Sequence, residues 1–305
     1  MISQYFLLYL KANISKMKFN LKYLLFMNVP VKNITKDTIS SLIEETRKRV
    51  HFATYHANAL KEHITDRHYG IFKLPFGDSV YPILNKESGI QMRDDNFNKG
   101  GLFCYVKDEA EFKRIVEFME KYREIVFLRD YMELSVALSV NFNADMTRTA
   151  LGELEYEAKY KNNEAATVEL ARCCSEFLRK TPFYNVADCL IAMPSSRTLP
   201  ARVASSIEGF GGTVYIDKLS WANKRDDLKN AVNVNKLDIL EQSGLTISDD
   251  LDVKDKVVIL LDDMYKSGVS MQYVAMKLKE AGARMVFGLS LVKSLSDKKD
   301  PDDAE

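Results

Sequence analysis

The stretch Val257–Met271, VVILLDDMYKSGVSM, holds the residues best suited to chemistry. A short, β-branched apolar run of this kind reads as a strand buried on both faces. It delivers two acids, Asp262 and Asp263, to its carboxyl end, the edge of a parallel sheet where ligands bind. Lys266, Ser267, Gly268, Val269 and Ser270 follow, just before a run of helical period. Small and hydroxyl residues with a glycine at a helix start present converging backbone N–H groups to an anion, and the helix dipole favours a phosphate there. Ser267 and Ser270 add hydroxyl donors, and Lys266 adds positive charge. Carboxylates beside such a cradle suit a sugar phosphate, whose hydroxyls donate to the acids while its phosphate accepts from the loop. Two rivals are excluded by pattern: neither the Walker-type G-x-x-x-x-G-K-[ST] nor the dinucleotide G-x-G-x-x-G is present. The plain alternative is an ordinary strand–turn–helix with acidic residues at its end.

Taken together, ILLDDMYKSGVSM resembles the phosphoribosyl-pyrophosphate (PRPP) signature of type I phosphoribosyltransferases: a hydrophobic strand, two acids, two variable residues and a Ser/Thr-rich loop with glycine. The resemblance implies that Asp262 and Asp263 hold the ribose hydroxyls and stabilise charge during catalysis. It also implies that Lys266, Ser267, Gly268, Val269 and Ser270 bind the 5′-phosphate, with Lys266 standing where the family usually has Thr or Ser. Leu190–Arg197, LIAMPSSR, is similar to the family's pyrophosphate loop, which assigns that role to Pro194, Ser195, Ser196 and Arg197. The family carries a mobile loop over its site in the region matching Asp217–Asp255, where Lys218, Lys224 and Arg225 are the lid charges. Mg²⁺ is implied together with PRPP, held mainly by substrate oxygens and water, with no direct protein ligand. Within the family the chain is most similar to the competence-associated ComF-like group, through LGELEYEAKYKNNEAATVELARCCSEFL, ADCLIAMPSSR and DLKNAVNVNKLDI, although that group's N-terminal zinc ribbon is absent. The implied reaction transfers a phosphoribosyl group to a nitrogen acceptor and releases pyrophosphate. A sensor that binds PRPP or a nucleotide in the same pocket without turnover, and an interaction protein working through residues 27–140, are the other readings. The acceptor stays open, as does a homodimer.

Composition narrows the setting. Lys plus Arg and Asp plus Glu each number 43, so no global field draws the protein to nucleic acid or anionic lipid, and nucleic acid is neither indicated nor excluded. No apolar run approaches the length of a membrane span. The cysteines Cys104, Cys173, Cys174 and Cys189 lack metal-ligand spacing and read as free thiols, which suits a reducing cytoplasm. His51, His56, His63 and His68 give no i, i+4 pair; His56 and His63 share a helical face, and no metal is assigned.

The elements that must position these residues follow from periodicity. From about 141 to 296, helices over Glu164–Arg179, Ala201–Ile207 and Gln272–Ala281 alternate with strands over Ala187–Met193, Thr213–Ile216, Lys256–Leu261 and Arg284–Val292. This alternation predicts an α/β fold, a parallel sheet covered by helices on both faces. Residues 27–140 read as a small preceding α+β domain. It has a helix over Thr35–His63 capped by Thr35 or Thr38, strands at Gly70–Leu74, Ser79–Leu84 and Gly101–Val106, a helix at Glu109–Tyr122, and strands at Ile125–Leu128 and Leu134–Asn141. Residues 1–26 form a basic, acid-free extension, read either as an amphipathic segment or as sequence ahead of a start at Met27; residues 297–305 form a charged tail.

Overall fold

A computed structural model describes residues 25–43, 49–97, 100–223 and 233–294. The chain divides into two compact units, 1–31 and 32–305. Of the first, residues 25–31 are described, a turn closed by the Val29 amide on the Phe26 carbonyl (2.9 Å).

In chain order the second unit runs α1 (Lys36–Ile43), β1 (Arg49–His51), α2 (Phe52–Ala59), β2 (Leu60–Glu62), β3 (Gly70–Leu74), α3 (Val80–Ser88), β4 (Arg93–Asp94), β5 (Leu102–Val106), α4 (Glu109–Lys121), β6 (Val126–Leu128) and β7 (Leu134–Val140). It continues with α5 (Ala150–Tyr160), α6 (Glu164–Lys180), β8 (Cys189–Ala192), α7 (Leu199–Ser205), β9 (Thr213–Tyr215) and β10 (Leu219–Trp221). α8 (Asn233–Ser243), β11 (Leu245–Ile247), β12 (Val257–Tyr265), α9 (Val269–Glu280) and β13 (Met285–Lys293) complete it.

Seven strands form the main sheet in the order β1-β6-β7-β13-β12-β8-β9. The five from β7 to β9 in that order run parallel, so their carboxyl ends share one edge. Beyond β7, β6 and β1 extend the sheet antiparallel. Every residue of β7, β8 and β13 is buried, as strands covered on both faces require. On one face Ile39 of α1, Leu240 of α8, and Val274 and Leu278 of α9 cluster with Val258 and Leu260 of β12. On the opposite face α5, α6 and α7 pack on the same strands; there Tyr184 bridges Phe177 of α6 and Phe287 of β13, with ring centroids 5.0 and 5.3 Å apart. Each such buried side chain contributes about 1.5–3 kcal/mol, so the edge on which the acids stand is held by the most heavily packed part of the fold.

The division expected at residue 140 differs from the sheet. β1, β6 and β7 precede residue 141 yet belong to the main sheet, because β7 finds its parallel partner in the distant β13. What stands apart from that sheet is a four-stranded antiparallel one, β2-β3-β5-β4, with α2 on β2 and β3 and α4 on β5. The long helix expected over Thr35–His63 is also interrupted. Thr35 caps α1 through its hydroxyl oxygen, which accepts from the Thr38 amide (3.2 Å), but Arg49–His51 is taken up as β1 by pairing with β6. Ser79–Leu84, expected as a strand, opens α3 instead, and Pro82 lies in its first turn, where a missing N–H costs nothing. The side chain of His56 lies outside the described residues, and it is His63 and His68 that meet, ring nitrogens 2.9 Å apart. All four cysteines are free, three of them buried and Cys173 half-buried. No helix among the described residues is long and apolar enough to cross a membrane.

Candidate functional site

β12 reaches further than its apolar core, ending at Tyr265, so both acids stand on its last turn of pleat at the carboxyl edge. Successive side chains of a strand point to opposite faces, which sends Asp262 and Asp263 to different sides. Asp262 is half-buried, and one of its oxygens accepts the Asp263 amide at 2.9 Å. Asp263 is buried and meets Lys159 of α5, whose ammonium lies 3.0 Å from Asp263 and 2.9 Å from Glu155. Burial alone would lower the Lys159 pKa; the carboxylates of Asp263 and Glu155 outweigh it and hold the ammonium firmly charged.

Lys159 was absent from the sequence-based site. Its position depends on how α5 starts. Thr149 caps the helix, accepting the Gly152 amide (3.0 Å) while donating to the Val140 carbonyl at the end of β7 (2.5 Å). A Cβ at Gly152 would lie 2.0 Å from the Asn141 carbonyl oxygen, so only glycine lets the helix seat this closely on the strand end. The Glu155–Lys159 spacing of i, i+4 is a legible helix pair, but its arrival beside Asp263 is a tertiary event.

The loop after β12 has the form read from its residues. Gly268 takes the left-handed conformation (φ +77°) and forms the N-cap of α9. A Cβ there would also lie 2.1 Å from the Tyr265 hydroxyl. That hydroxyl donates to Asp130 (3.0 Å), a buried acid on the connection between β6 and β7. The Asp130 carboxyl is raised to about 6, chiefly by burial and against the pull of Lys32. Gln272 in the first turn of α9 accepts the Tyr131 amide (3.1 Å), a second tie to the same connection. Ser267 and Val269 are buried, whereas Lys266 and Ser270 are half-exposed. Among the described residues no acceptor occupies the amides of Ser267, Gly268, Val269 or Ser270. The loop is therefore a braced helix start with free donors, which is what an anion requires.

The turn after β8 lies at the same edge. Ser195 accepts the Thr198 amide through its carbonyl (3.2 Å), and Thr198 itself is left-handed (φ 53°) as the chain enters α7. Ser196 and Arg197 are exposed, and Pro194 and Ser195 half-buried. The Arg197 guanidinium lies 4.1 Å over the Tyr160 ring. Tyr160 follows Lys159, so the end of α5 touches both the carboxylate and the turn. A second link, Trp221 of β10, donates to the Pro194 carbonyl (3.3 Å) and stacks on Tyr273 of α9, centroids 6.1 Å apart. Trp221 and Tyr160 were not anticipated as site residues either.

The described residues of the Asp217–Asp255 segment include regular elements. They contain the β10–β11 hairpin with α8 between its strands, and Lys218 pairs with Asp250 at 2.5 Å. Lys224 and Arg225 lie outside the described residues. Among the described residues no group of three or more His, Cys, Asp or Glu side chains is arranged to hold a metal ion.

No family model and no curated protein matches the chain. Among solved structures it is similar to a hypoxanthine-guanine phosphoribosyltransferase from Bacillus anthracis, at 14% identity over 50% of this chain and 76% of that one, TM-score 0.29. It is similar to a hypoxanthine phosphoribosyltransferase from Staphylococcus aureus, at 12% identity over 46% and 69% of the two chains, TM-score 0.30. The hypoxanthine phosphoribosyltransferase of Trypanosoma cruzi gives 10% identity over 50% and 70%, TM-score 0.31. At these scores the case for function rests on the residues of the site.

Proposed function

We propose that the carboxyl edge of the main sheet binds PRPP and transfers its phosphoribosyl group to a nitrogen acceptor, releasing pyrophosphate. One observation supports the reading: a carboxylate pair at the end of a buried strand leads directly into a braced, glycine-capped helix start whose amides have no acceptor among the described residues. The ribose hydroxyls donate to Asp262 and Asp263, and the 5′-phosphate accepts from the amides of Ser267 to Ser270. Pyrophosphate lies along Pro194–Arg197, where Arg197 supplies a charge that is always present. As the bond at C1 lengthens, positive charge develops on the sugar. The carboxylate of Asp262 stabilises it without reorganising. Mg²⁺ would be held mainly by the oxygens of PRPP and by water, with no direct protein ligand, and when bound would supply charge neutralisation to the leaving group. The likeness to the competence-associated branch belongs to the same proposal.

A second reading is favoured by the pairing of Asp263. With Lys159 already on that carboxylate, the pocket holds a sugar phosphate while one acid stays engaged, which suits sensing without turnover. Incubating the full chain with PRPP, Mg²⁺ and a panel of purine and pyrimidine bases, and measuring pyrophosphate, separates the two. Base-dependent release supports transfer. Saturable PRPP binding with no release for any acceptor supports sensing and removes the enzyme reading.

A further inference from the structure

The small antiparallel sheet has one face packed and one open. On β3, Gly70, Phe72 and Leu74 are buried while Ile71 and Lys73 look outward; on β5, Cys104 and Val106 are buried while Phe103 and Tyr105 alternate with them. Strand register brings the outward residues into two rows. Lys61 of β2 stands opposite Ile71, and Ile71 opposite Tyr105; Lys73 stands opposite Phe103, and Phe103 opposite Arg93 of β4. The aromatic rings are arrayed for stacking. Phe103 and Tyr105 lie 5.7 Å apart, His68 lies 4.6 Å from Tyr105, and His63 stacks on His68 at 5.1 Å. The Arg93 guanidinium covers Phe103 at 4.5 Å. Tyr105 is 48% exposed, and Phe97 in the β4–β5 connection is 99% exposed.

The charge on this face is mainly positive, with Asp95 its one acidic neighbour among the ion pairs of the described residues. Lys61 and Arg93 form no ion pair among the described residues, and Lys73 has only a distant partner, Asp95, at 3.9 Å. Three cations interleaved with accessible rings, on a chain of zero formal net charge, make a local positive platform rather than a general one. An apolar partner surface would leave the cations unpaired, and an acidic peptide has no use for a ladder of rings. Unpaired bases meet both demands at once: their π-faces stack on the exposed rings of Tyr105 and Phe97, and their phosphates reach Lys61, Lys73 and Arg93. A duplex hides its bases and cannot use the rings. We propose that the open face of the β2-β3-β5-β4 sheet binds single-stranded nucleic acid.

Fluorescence anisotropy of the full chain tests this with labelled oligo-uridylate and oligo-thymidylate of about twelve nucleotides, within the span of one small stacking module. Binding of either strand is expected, with preference between them reporting whether the partner is RNA or DNA. The salt dependence should have a slope of about −2 for three contacted phosphates, since each contributes about −0.7 on a single strand. Tyr105→Ala should weaken binding at least tenfold, about the loss of one stacked base, while Tyr105→Phe keeps it. Lys61→Ala should flatten the salt slope by about 0.7. Asp262→Asn with Asp263→Asn should leave oligonucleotide affinity unchanged, so failure here is distinguishable from failure of the PRPP reading. No binding by the folded wild-type chain, equal affinity of Tyr105→Ala, or equal affinity for a duplex of the same length overturns the proposal.

Discussion

In the seven-stranded sheet both faces are covered by helices, so polar groups collect where the strands stop. In the four-stranded sheet one face stays bare, and the polar and aromatic groups stand along the strands themselves. The first arrangement produces a site with depth: Asp263 and Glu155 are buried around one ammonium, and the 266–270 loop is braced from beneath by Tyr265 and Asp130. The second produces a surface with width, in which Phe103, Tyr105 and His68 are spread over one strand and a neighbouring loop. Burial decides what each can do. Buried charge gives strong, directional interaction with a small ligand at a high desolvation cost, whereas an exposed ladder gives weaker, additive contacts to an extended one.

The same kind of change therefore has very different consequences in the two regions. The largest effect is expected for Lys159→Met, which strands Asp263 beside Glu155. Breaking a buried pair in this way costs about 3 kcal/mol or more in a chemical denaturation experiment, and adding Asp263→Asn should recover part of it. A loss below about 1 kcal/mol would mean the edge is not organised around this ammonium.

Next in size is a pH effect at the antiparallel flank of the main sheet. Burial first, and then the nearby Arg49, lower the His51 pKa from 6.5 to about 4. Its folded value lies below its unfolded one, so its contribution to stability is complete above 6.5 and is lost as pH falls towards 4. By linkage the loss is about 3 kcal/mol at most. Comparing wild type with His51→Gln at pH 7 and pH 4 isolates it; parallel losses in both proteins would assign the acid sensitivity elsewhere. Tyr265→Phe should cost about 1 kcal/mol, the net worth of one buried hydrogen bond, and lower PRPP affinity by loosening the support under Gly268. Tyr105→Ala on the open sheet should change stability by less than about 0.5 kcal/mol, because it removes a half-exposed ring and no buried partner. A much larger loss would show that this face is packed.

The parallel edge was legible in the sequence because its residues are local. Asp262, Asp263 and the 266–270 loop lie within one strand–turn–helix, and continuous apolar runs marked β12 and β13 as doubly covered. Lys159 was not legible, since α5 reaches Asp263 only through the Gly152 contact with Asn141. Nor was the membership of β7, which reads as a strand but reveals nothing of the partner it pairs with. The interruption of the Thr35–His63 helix has the same origin, a pairing with β6 that local periodicity cannot express. The open face was hidden for a further reason: Arg93, Phe103 and His68 become neighbours only through cross-strand register.

The claim on which most depends is that Asp262 and Asp263 hold the ribose of PRPP. Calorimetric titration of the full chain with PRPP and Mg²⁺, beside a folded Asp262→Asn/Asp263→Asn variant, measures it directly. The double variant is expected to bind more weakly by about 3 kcal/mol, a loss of over a hundredfold that corresponds to about two charge-assisted hydrogen bonds. Equal affinity in the two proteins, or no binding by the wild type, would contradict it.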